Sequence, residues 1–170
     1  MYVIGVIDVS RRDIEDKVFK DVEPLVEGLG VELLDVELTN ENRNSVLRAT
    51  IYKADGVTLD DCASVQNVLS DRLDETDPVS GSYTLEVSSP GLERSLRREK
   101  EFRIFKGTPA QANLFAPVLG KRTFLGDLAG LGKDASGNET VILQTPEGEV
   151  HLERANVSKV SLVYRLDRDT

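Results

Sequence analysis

The hydrophobic pattern changes character once along the chain, near residues 85–96, "LEVSSPGLERSL", and this change constrains the fold most. Before it, segments with apolar residues at helical spacing are mixed with alternating segments. After it, short alternating segments are separated by Gly-rich turns. The first pattern is typical of helices packed on a sheet and the second of an all-β body. The sequence therefore predicts an α+β protein of two domains, residues 1–91 and 92–170.

The first domain is predicted to have the order α-β-β-α-β. Its first helix covers residues 13–29, with Ser10 and Asp13 as a capping pair, Gly30 as a left-handed stop and Pro24 as a kink or break. The apolar stripe of this helix is Ile14, Val18, Val22, Leu25, Val26 and Leu29. The strands "VELLDVELT" and "VLRATIYK" flank the polar "NENRNS", which predicts a hairpin loop longer than two residues.

The second helix of this domain begins at a capping pair, Thr58 and Asp61. Its predicted apolar stripe is Leu59, Cys62, Val65, Leu69 and Leu73, and the strand "YTLEVS" follows it. In the first strand, Leu34, Val36 and Leu38 are predicted to face inward, while Asp35 and Glu37 face water. The domain is thus expected to be a two-layer body with both helices on one face of a small sheet.

The second domain is predicted from five strand segments within a short stretch of chain. They are "TPAQANLF", "RTFLGDLAGL", "TVILQT", "EVHLE" and "VSKVSLVY", and a short segment, "EKEFRIFKG", precedes them as a candidate helix. Closing the sheet would remove the edges that such strands otherwise expose. A small closed β-barrel is therefore the expected architecture.

Charge is divided unevenly between the two halves. Residues 1–92 hold 19 acidic and 8 basic side chains, a net −11, whereas residues 93–170 hold 11 acidic and 13 basic, a net +2. The first half should repel phosphate chains and attract basic protein surfaces. No apolar run approaches a membrane span, the start "MYVIGVIDVS" lacks the pattern of a signal peptide, and there is a single cysteine. A cytoplasmic protein without a disulfide framework is expected.

The residues between the two domains allow two interpretations. Ser89, Pro90, Gly91 and Leu92 fit a type II turn, with Pro90 at the second position and Gly91 at positive φ, which would make a stiff inter-domain connection. Alternatively, the hydroxyls of Ser88 and Ser89 face a binding partner together with nearby backbone N–H groups. The residues alone do not decide between these two interpretations.

The stretch "YTLEVSSPGLERSL", preceded by "GVTLDDCASVQNVLSDRLDETDPVSGSY", resembles the signature region of the bacterial ribosome maturation factor RimP family. The resemblance extends from about residue 14 over nearly all of the chain. One departure is Arg94-Ser95-Leu96, where the family usually has Arg-Pro-Leu, and this change is expected to loosen the segment that enters the second domain. The first dozen residues have no clear counterpart.

The resemblance implies an N-terminal α/β domain, a C-terminal SH3-like (Sm-like) barrel and a non-enzymatic role in maturation of the small (30S) ribosomal subunit. The implied partners are the free small subunit, a ribosomal protein that contacts the barrel, and adjacent 16S rRNA. The chain is expected to act as a monomer without a cofactor. The alternative is an autonomous Sm-like RNA-binding protein. The net charge of the second half, only +2, argues against this alternative.

The main candidate for contact with phosphates is the cluster of cations in residues 94–106, which we call the basic segment. The segment contains two carboxylates, Glu99 and Glu101, and six cations: Arg94, Arg97, Arg98, Lys100, Arg103 and Lys106. Phosphate contacts would make binding strongly dependent on salt. Solvated ion pairs are the competing explanation. The predicted partner-binding residues are Ser88, Ser89, Pro90, Gly91, Arg94, Arg97, Arg98, Lys100 and Lys106.

Other reactive side chains are better explained by structure. Cys62 lies on an apolar stripe, and Asp60 with Asp61 occupies the first turn of a helix, where carboxylates favour the helix dipole. His151 has no nucleophile near it in the sequence. "GLGKDA" lacks the strand-to-helix transition of a nucleotide site and is expected to be a hairpin turn. No catalytic residue, metal ligand or cofactor site is therefore predicted.

Overall fold

The computed structural model describes the backbone of residues 3–164 and the side chains from residue 11 onward within that range. Met1 and Tyr2 of the N-terminal stretch lie outside the described residues. The chain divides into two compact units, Met1–Pro90 (unit 1) and Gly91–Thr170 (unit 2). Within the described residues, three α-helices and two sheets form a mixed α/β protein, as expected.

Unit 1 has the predicted order of helices and strands. Its elements are α1 (Val3–Glu27), β1 (Glu32–Glu41), β2 (Asn44–Tyr52), α2 (Leu59–Thr76) and β3 (Tyr83–Ser88). The sheet order is β1-β2-β3, in which β2 is antiparallel to β1 and parallel to β3. Helix α1 packs on β1, α2 packs on β3, and the two helices contact each other. Both helices therefore cover one face of the sheet, as predicted.

The start of α1 differs from the sequence prediction. The helix begins at Val3, so Ser10 lies inside it and is not a cap. It also continues through Pro24 to Glu27, and Pro24 does not split it. Of the predicted stripe, Val18, Val22 and Val26 are buried, whereas Leu25 and Leu29 are about two-fifths exposed. The buried stripe is thus narrower than the spacing of apolar residues indicates.

Strands β1 and β2 correct two further predictions. They are joined by Asn42 and Arg43, both with positive φ (50° and 68°), so the hairpin has a tight two-residue turn and not a longer loop. In addition, the register shifts between Leu33 and Asp35. Asp35 is 1% exposed, so its predicted place on a wet face was wrong. The extra residue of the bulge, Leu34, explains why simple alternation fails here.

Helix α2 begins at the capping pair that the sequence predicts. Thr58 and Asp61 form a reciprocal capping box, and the C-cap residue Asp77 is left-handed. Val65, Leu69 and Leu73 are buried, but Leu59 is 89% exposed and was wrongly assigned to the buried stripe. Because Leu59 occupies the first position of the helix, it lies beside the cap and away from the sheet.

Unit 2 contains a short helix and five strands. They are α3 (Glu99–Ile104), β4 (Pro109–Val118), β5 (Lys121–Lys133), β6 (Glu139–Thr145), β7 (Gly148–Glu153) and β8 (Val157–Leu162). The antiparallel sheet has the order β7-β6-β5-β4-β8, so β7 and β8 are its terminal strands. Register shifts interrupt the pairing of β4 with β5 and β8, and of β5 with β6. The five predicted strands are confirmed, while closure into a barrel stays a prediction.

Candidate functional site

The turn that follows β3 lies later in the chain than predicted. The φ of Gly91 is outside the left-handed region that the third position of a type II turn requires, so that prediction was wrong. Instead, the Arg94 N–H donates to the carbonyl of Gly91 at 3.2 Å, which closes a turn over residues 91–94. Ser88 ends β3 and is partly buried, and Ser89 is exposed.

Residues 94–96, which enter unit 2, are fixed against strand β8. The Leu96 N–H donates to the Val160 carbonyl, and the Leu162 N–H donates to the Arg94 carbonyl, each at 2.8 Å. Ser95 forms a bridge with Ser161 between these two bonds. A proline at position 95 is thus not needed to order this segment, contrary to the expectation that Arg94-Ser95-Leu96 is loose.

Glu101 organises the first half of the basic segment. Its side chain is fully buried and accepts hydrogen bonds from Arg94 Nε at 2.7 Å and from the backbone N–H groups of Arg97 and Arg98 at 2.8 and 3.0 Å. The Arg94 side chain is only 13% exposed in this pair. Arg94 therefore has a structural role, and its charge is directed to a buried carboxylate.

The remaining cations of the basic segment differ in availability. Arg97, Arg98 and Lys100 each take part in further interactions within the chain. Arg103 and Lys106 are exposed and have no ion pair with any described residue. They line a cleft of about 210 Å³ between α3 and β5, with Glu99 and Gly130 among its other residues. Arg103, which was left out of the predicted binding residues, is one of the two cations available to a partner.

The aromatic residues of the basic segment belong to the core. Phe102 is 2% exposed and Phe105 is 9% exposed, as their spacing indicates. The Arg154 guanidinium lies 4.6 Å from the centre of the Phe102 ring, in cation–π distance. Neither ring is available to stack on a base, so this surface can recognise phosphates but offers no base platform.

The other candidate side chains have structural explanations. The pKa of Asp61 is lowered because the backbone N–H of Thr58 donates to its carboxylate, which fits its capping role. His151 is exposed and lies 2.6 Å from Glu149. A hairpin turn follows β5 as predicted, but it begins only at Asp134, which accepts from the N–H groups of Ser136 and Asn138, whereas residues 130–133 of "GLGKDA" belong to the strand. Within the described residues, no three His, Cys, Asp or Glu side chains are placed to hold a metal.

A second surface of unit 2 was not found from the sequence. A groove of about 370 Å³ lies between the first half of β5 and the β6–β7 turn, and we call it the β5 groove. Leu119 and Leu125 line it and are 84% and 51% exposed, respectively. Alternation alone could not show this surface, because in a half-buried strand exposed apolar residues look like core residues.

The comparisons with known proteins follow the same division of the chain. Residues 21–93 match the family model described as the RimP N-terminal domain. Residues 21–93 thus form a domain of the RimP family. The matched region covers most of unit 1 and ends just beyond the start of unit 2, and it confirms the resemblance noted in "YTLEVSSPGLERSL". The RimP family comprises ribosome maturation factors and is generally non-enzymatic.

A solved structure titled "YaeO bound to Magnesium from Vibrio cholerae O395" is also similar to part of the chain. It covers 40% of this chain and 86% of its own length, with 14% sequence identity and a TM-score of 0.33. A score this low does not establish a shared fold.

In the described part of the chain, no helix is long and apolar enough to cross a membrane.

Proposed function

We propose that this RimP-family protein is a maturation factor of the small (30S) ribosomal subunit that binds the free subunit in the cytoplasm as a monomer. The match of residues 21–93 to the RimP N-terminal domain is the observation that supports this function most. The factor binds without catalysis. It therefore has to favour the free or immature subunit over the finished ribosome through differential affinity.

Unit 2 is proposed to be an SH3-like (Sm-like) barrel that contacts a ribosomal protein. Five antiparallel strands with three register shifts support this proposal, because bulges bend and twist strands towards closure. The short connection at residues 88–91 is proposed to lie at the interface with the subunit. Its residues Ser88, Ser89, Pro90 and Gly91 are separated from the basic segment only by Leu92 and Glu93.

Contact with 16S rRNA is proposed for the exposed cations of the basic segment. Arg103 and Lys106 carry most of it, since neither is neutralised by a described carboxylate, and Arg97, Arg98 and Lys100 lie in the same segment. If two phosphates are neutralised, a plot of the logarithm of the binding constant against the logarithm of the salt concentration should have a slope of roughly −2. Arg94 contributes indirectly by holding the segment through Glu101.

Co-sedimentation with purified free small subunits tests this function. The wild-type chain is expected to sediment with free subunits and not with complete ribosomes. Reversing both cations, Arg103→Glu with Lys106→Glu, should weaken binding by about tenfold, because each phosphate contact is replaced by repulsion. Reversal of Arg94 is unsuitable as a test, because it would leave Glu101 buried without its ion-pair partner.

Lys159→Glu in β8 is the matched control, because Lys159 is also an exposed cation of unit 2 but lies outside the basic segment. It should leave sedimentation nearly unchanged. Equal effects of the control and the double variant would remove the basic segment from the interface. Tight, salt-resistant binding of the chain to short naked RNA would instead support the autonomous Sm-like RNA-binding protein.

A further inference from the structure

Strand β4 carries a row of side chains on its outer face that ends in an exposed aromatic ring. Buried residues alternate with partly exposed ones along the strand, so Gln111 and Asn113 lie on the face opposite the core. Phe115 is the next residue of this row and is 66% exposed. Thr123 of β5 and Lys159 of β8 stand opposite Asn113 on the two neighbouring strands, and opposed residues share a face. We call these five residues the β4 platform.

The backbone around Phe115 is fixed, although it leaves the pairing between β4 and β5. That pairing is interrupted between Asn113 and Val118. The side chain of Asn156 holds the segment there, because its Oδ1 accepts from the Ala116 N–H and its Nδ2 donates to the Ala116 carbonyl, both at 2.9 Å. Phe115 therefore presents its ring from an ordered backbone, and little conformational entropy is lost when a partner packs on it.

The strands of the β4 platform contain no carboxylate over most of their length. Residues 109–126 and 156–164 include no aspartate or glutamate, although the chain has 30 acidic residues. The same two ranges contain three cations, Lys121, Arg122 and Lys159. Lys159 is exposed and has no ion pair with any described residue. The charge of this face therefore attracts phosphates and disfavours an acidic partner no more than water does.

Two described carboxylates border this face. Asp127 follows on β5 and lies opposite Pro109, at the end of β4 that is remote from Phe115. Glu147 of the β6–β7 turn lies 3.6 Å from Lys121, so its charge is paired with a cation. Neither carboxylate is paired with Lys159, which is available to a phosphate.

Asn113 adds an oriented amide beside the ring of Phe115. Its Oδ1 accepts from Gln111 Nε2 at 3.1 Å and from Thr123 Oγ1 at 3.3 Å, which fixes the orientation of the amide. No described residue accepts a hydrogen bond from its Nδ2. An amide held in this way pairs with the edge of a base, and an exposed ring stacks on the face of a base. Ring, amide and cation together select single-stranded RNA over an apolar protein segment, which has no use for the amide or the cation.

We propose that the β4 platform binds an unpaired stretch of rRNA, with one base stacked on Phe115, a base edge at Asn113 and a phosphate at Lys159. This inference rests on the proposed function, because unpaired bases are exposed in a subunit whose rRNA is not yet folded and are lost as helices form. The platform thus provides the preference for immature subunits that a maturation factor needs. Purified subunits carry folded rRNA, so the platform adds little to the co-sedimentation in which Lys159→Glu is the control.

The first test uses the absence of tryptophan from the chain, since Phe115→Trp then introduces a single fluorescent ring at the β4 platform. Titration of this full-length variant at low salt with a single-stranded RNA of about eight uridines should quench the tryptophan, because a base stacks on it. An oligonucleotide of equal length with abasic sugars carries the same phosphates and should not quench it. Leu59→Trp, at an exposed position of unit 1, is the reporter control and should not be quenched by either.

The second test separates stacking from apolar contact, with fluorescence anisotropy of the labelled uridine RNA as the measurement. Binding by the wild type should be weak, because unit 1 is acidic. Phe115→Leu should lower the affinity by about tenfold, since leucine keeps an apolar side chain but has no ring, whereas Phe115→Tyr should preserve it. Lys159→Glu should lower the affinity at low salt and have less effect at high salt. Both positions are exposed, so these changes leave the core intact.

Three outcomes would overturn the platform proposal. They are absence of quenching by the uridine RNA, equal quenching by the abasic oligonucleotide, and equal RNA affinities of the wild type and Phe115→Leu. The last outcome would mean that Phe115 is an apolar docking residue for protein. Because no ribosome is present, these assays are independent of the proposed function. Loss of co-sedimentation in the wild-type chain would count against subunit binding alone, while absence of base stacking would count against the platform alone.

Discussion

Glu101 is a charged residue in the interior of unit 2 that is compensated by three donors. Arg94 Nε and the backbone N–H groups of Arg97 and Arg98 all donate to its carboxylate, which is 0% exposed. A buried charge is tolerated only when it is paired and hydrogen-bonded. These contacts hold the first turn of α3 to the segment before it, so one side chain sets the position of the whole basic segment.

Replacing Glu101 by glutamine should therefore destabilise unit 2 by about 3 kcal/mol, because the buried ion pair between Arg94 and Glu101 is lost. Hydrogen exchange of buried amides in β4 and β6 measures the change in the free energy of unfolding. Glu99→Gln, at an exposed position of the same helix, is the control. Equal protection factors in the two variants would contradict a structural role for Glu101.

Individual residues also show where sequence patterns are insufficient. The net charge of the basic segment indicates how many cations it contains but not which of them are paired. Arg94 contacts Glu101, seven positions away, and this contact forms only in the folded chain. Likewise, arginine is an unusual residue at positive φ, so nothing in "NENRNS" indicated that Asn42 and Arg43 form a two-residue turn. In both cases the deciding interaction is specific to the folded chain.

Among the elements, α2 was predicted well because its signals are local. Thr58 and Asp61 contact each other within one turn, and the buried positions repeat at helical spacing. The start of α1 was predicted poorly, because Ser10 followed by Asp13 fits a capping pair equally well inside a longer helix. The β5 groove depends on where β6 stops pairing with β5, and strand register between distant segments is not encoded locally.

Helices α1 and α2 are linked by a bidentate ion pair within unit 1. Arg72 donates to both carboxylate oxygens of Asp21, at 2.9 and 2.7 Å. These hydrogen bonds lower the pKa of Asp21 below its ordinary value of 3.8, although burial acts in the opposite direction. The pair thus connects the two helices through a partly exposed contact whose strength depends on the charge of Asp21.

Arg72→Gln is expected to raise the pKa of Asp21 towards 3.8, and an NMR titration of the Asp21 carboxyl carbon measures it. Because the pKa is lower in the folded state, the pair stabilises the wild type above the unfolded pKa and loses this contribution as pH falls through the folded pKa. The stability difference between wild type and variant should therefore vanish in strong acid. Arg43→Gln is the control, and an equal shift in it would refute the pairing.

At the scale of the whole molecule, the charge is distributed so that the two units suit different surfaces. The residues of unit 1 carry a net −11 and those of unit 2 a net +2. An acidic unit attached to a weakly basic one should bind RNA poorly by itself, and repulsion between unit 1 and rRNA should oppose incorrect orientations on the subunit. The acidic charge is thus proposed to provide specificity and not affinity.

This proposal predicts a gain of non-specific binding when acidic charge is removed from unit 1. Asp60, Asp71 and Asp74 are exposed on α2, and changing all three to asparagine should raise the affinity for naked single-stranded RNA by about threefold at low salt. Fluorescence anisotropy with a labelled RNA measures this change. The effect should disappear at high salt, where repulsion between exposed charges is screened.

A triple variant of neutral residues on the same helix, Ser64→Asn with Gln66→Asn and Ser70→Asn, separates charge from other effects of substitution. It should bind RNA as the wild type does, because it leaves the net charge unchanged. Co-sedimentation of the aspartate variant with free subunits should fall when naked RNA competes, since its discrimination is reduced. Equal affinity of the aspartate variant and the wild type for RNA at low salt would contradict this prediction. It would mean that acidic repulsion does not keep RNA from unit 1.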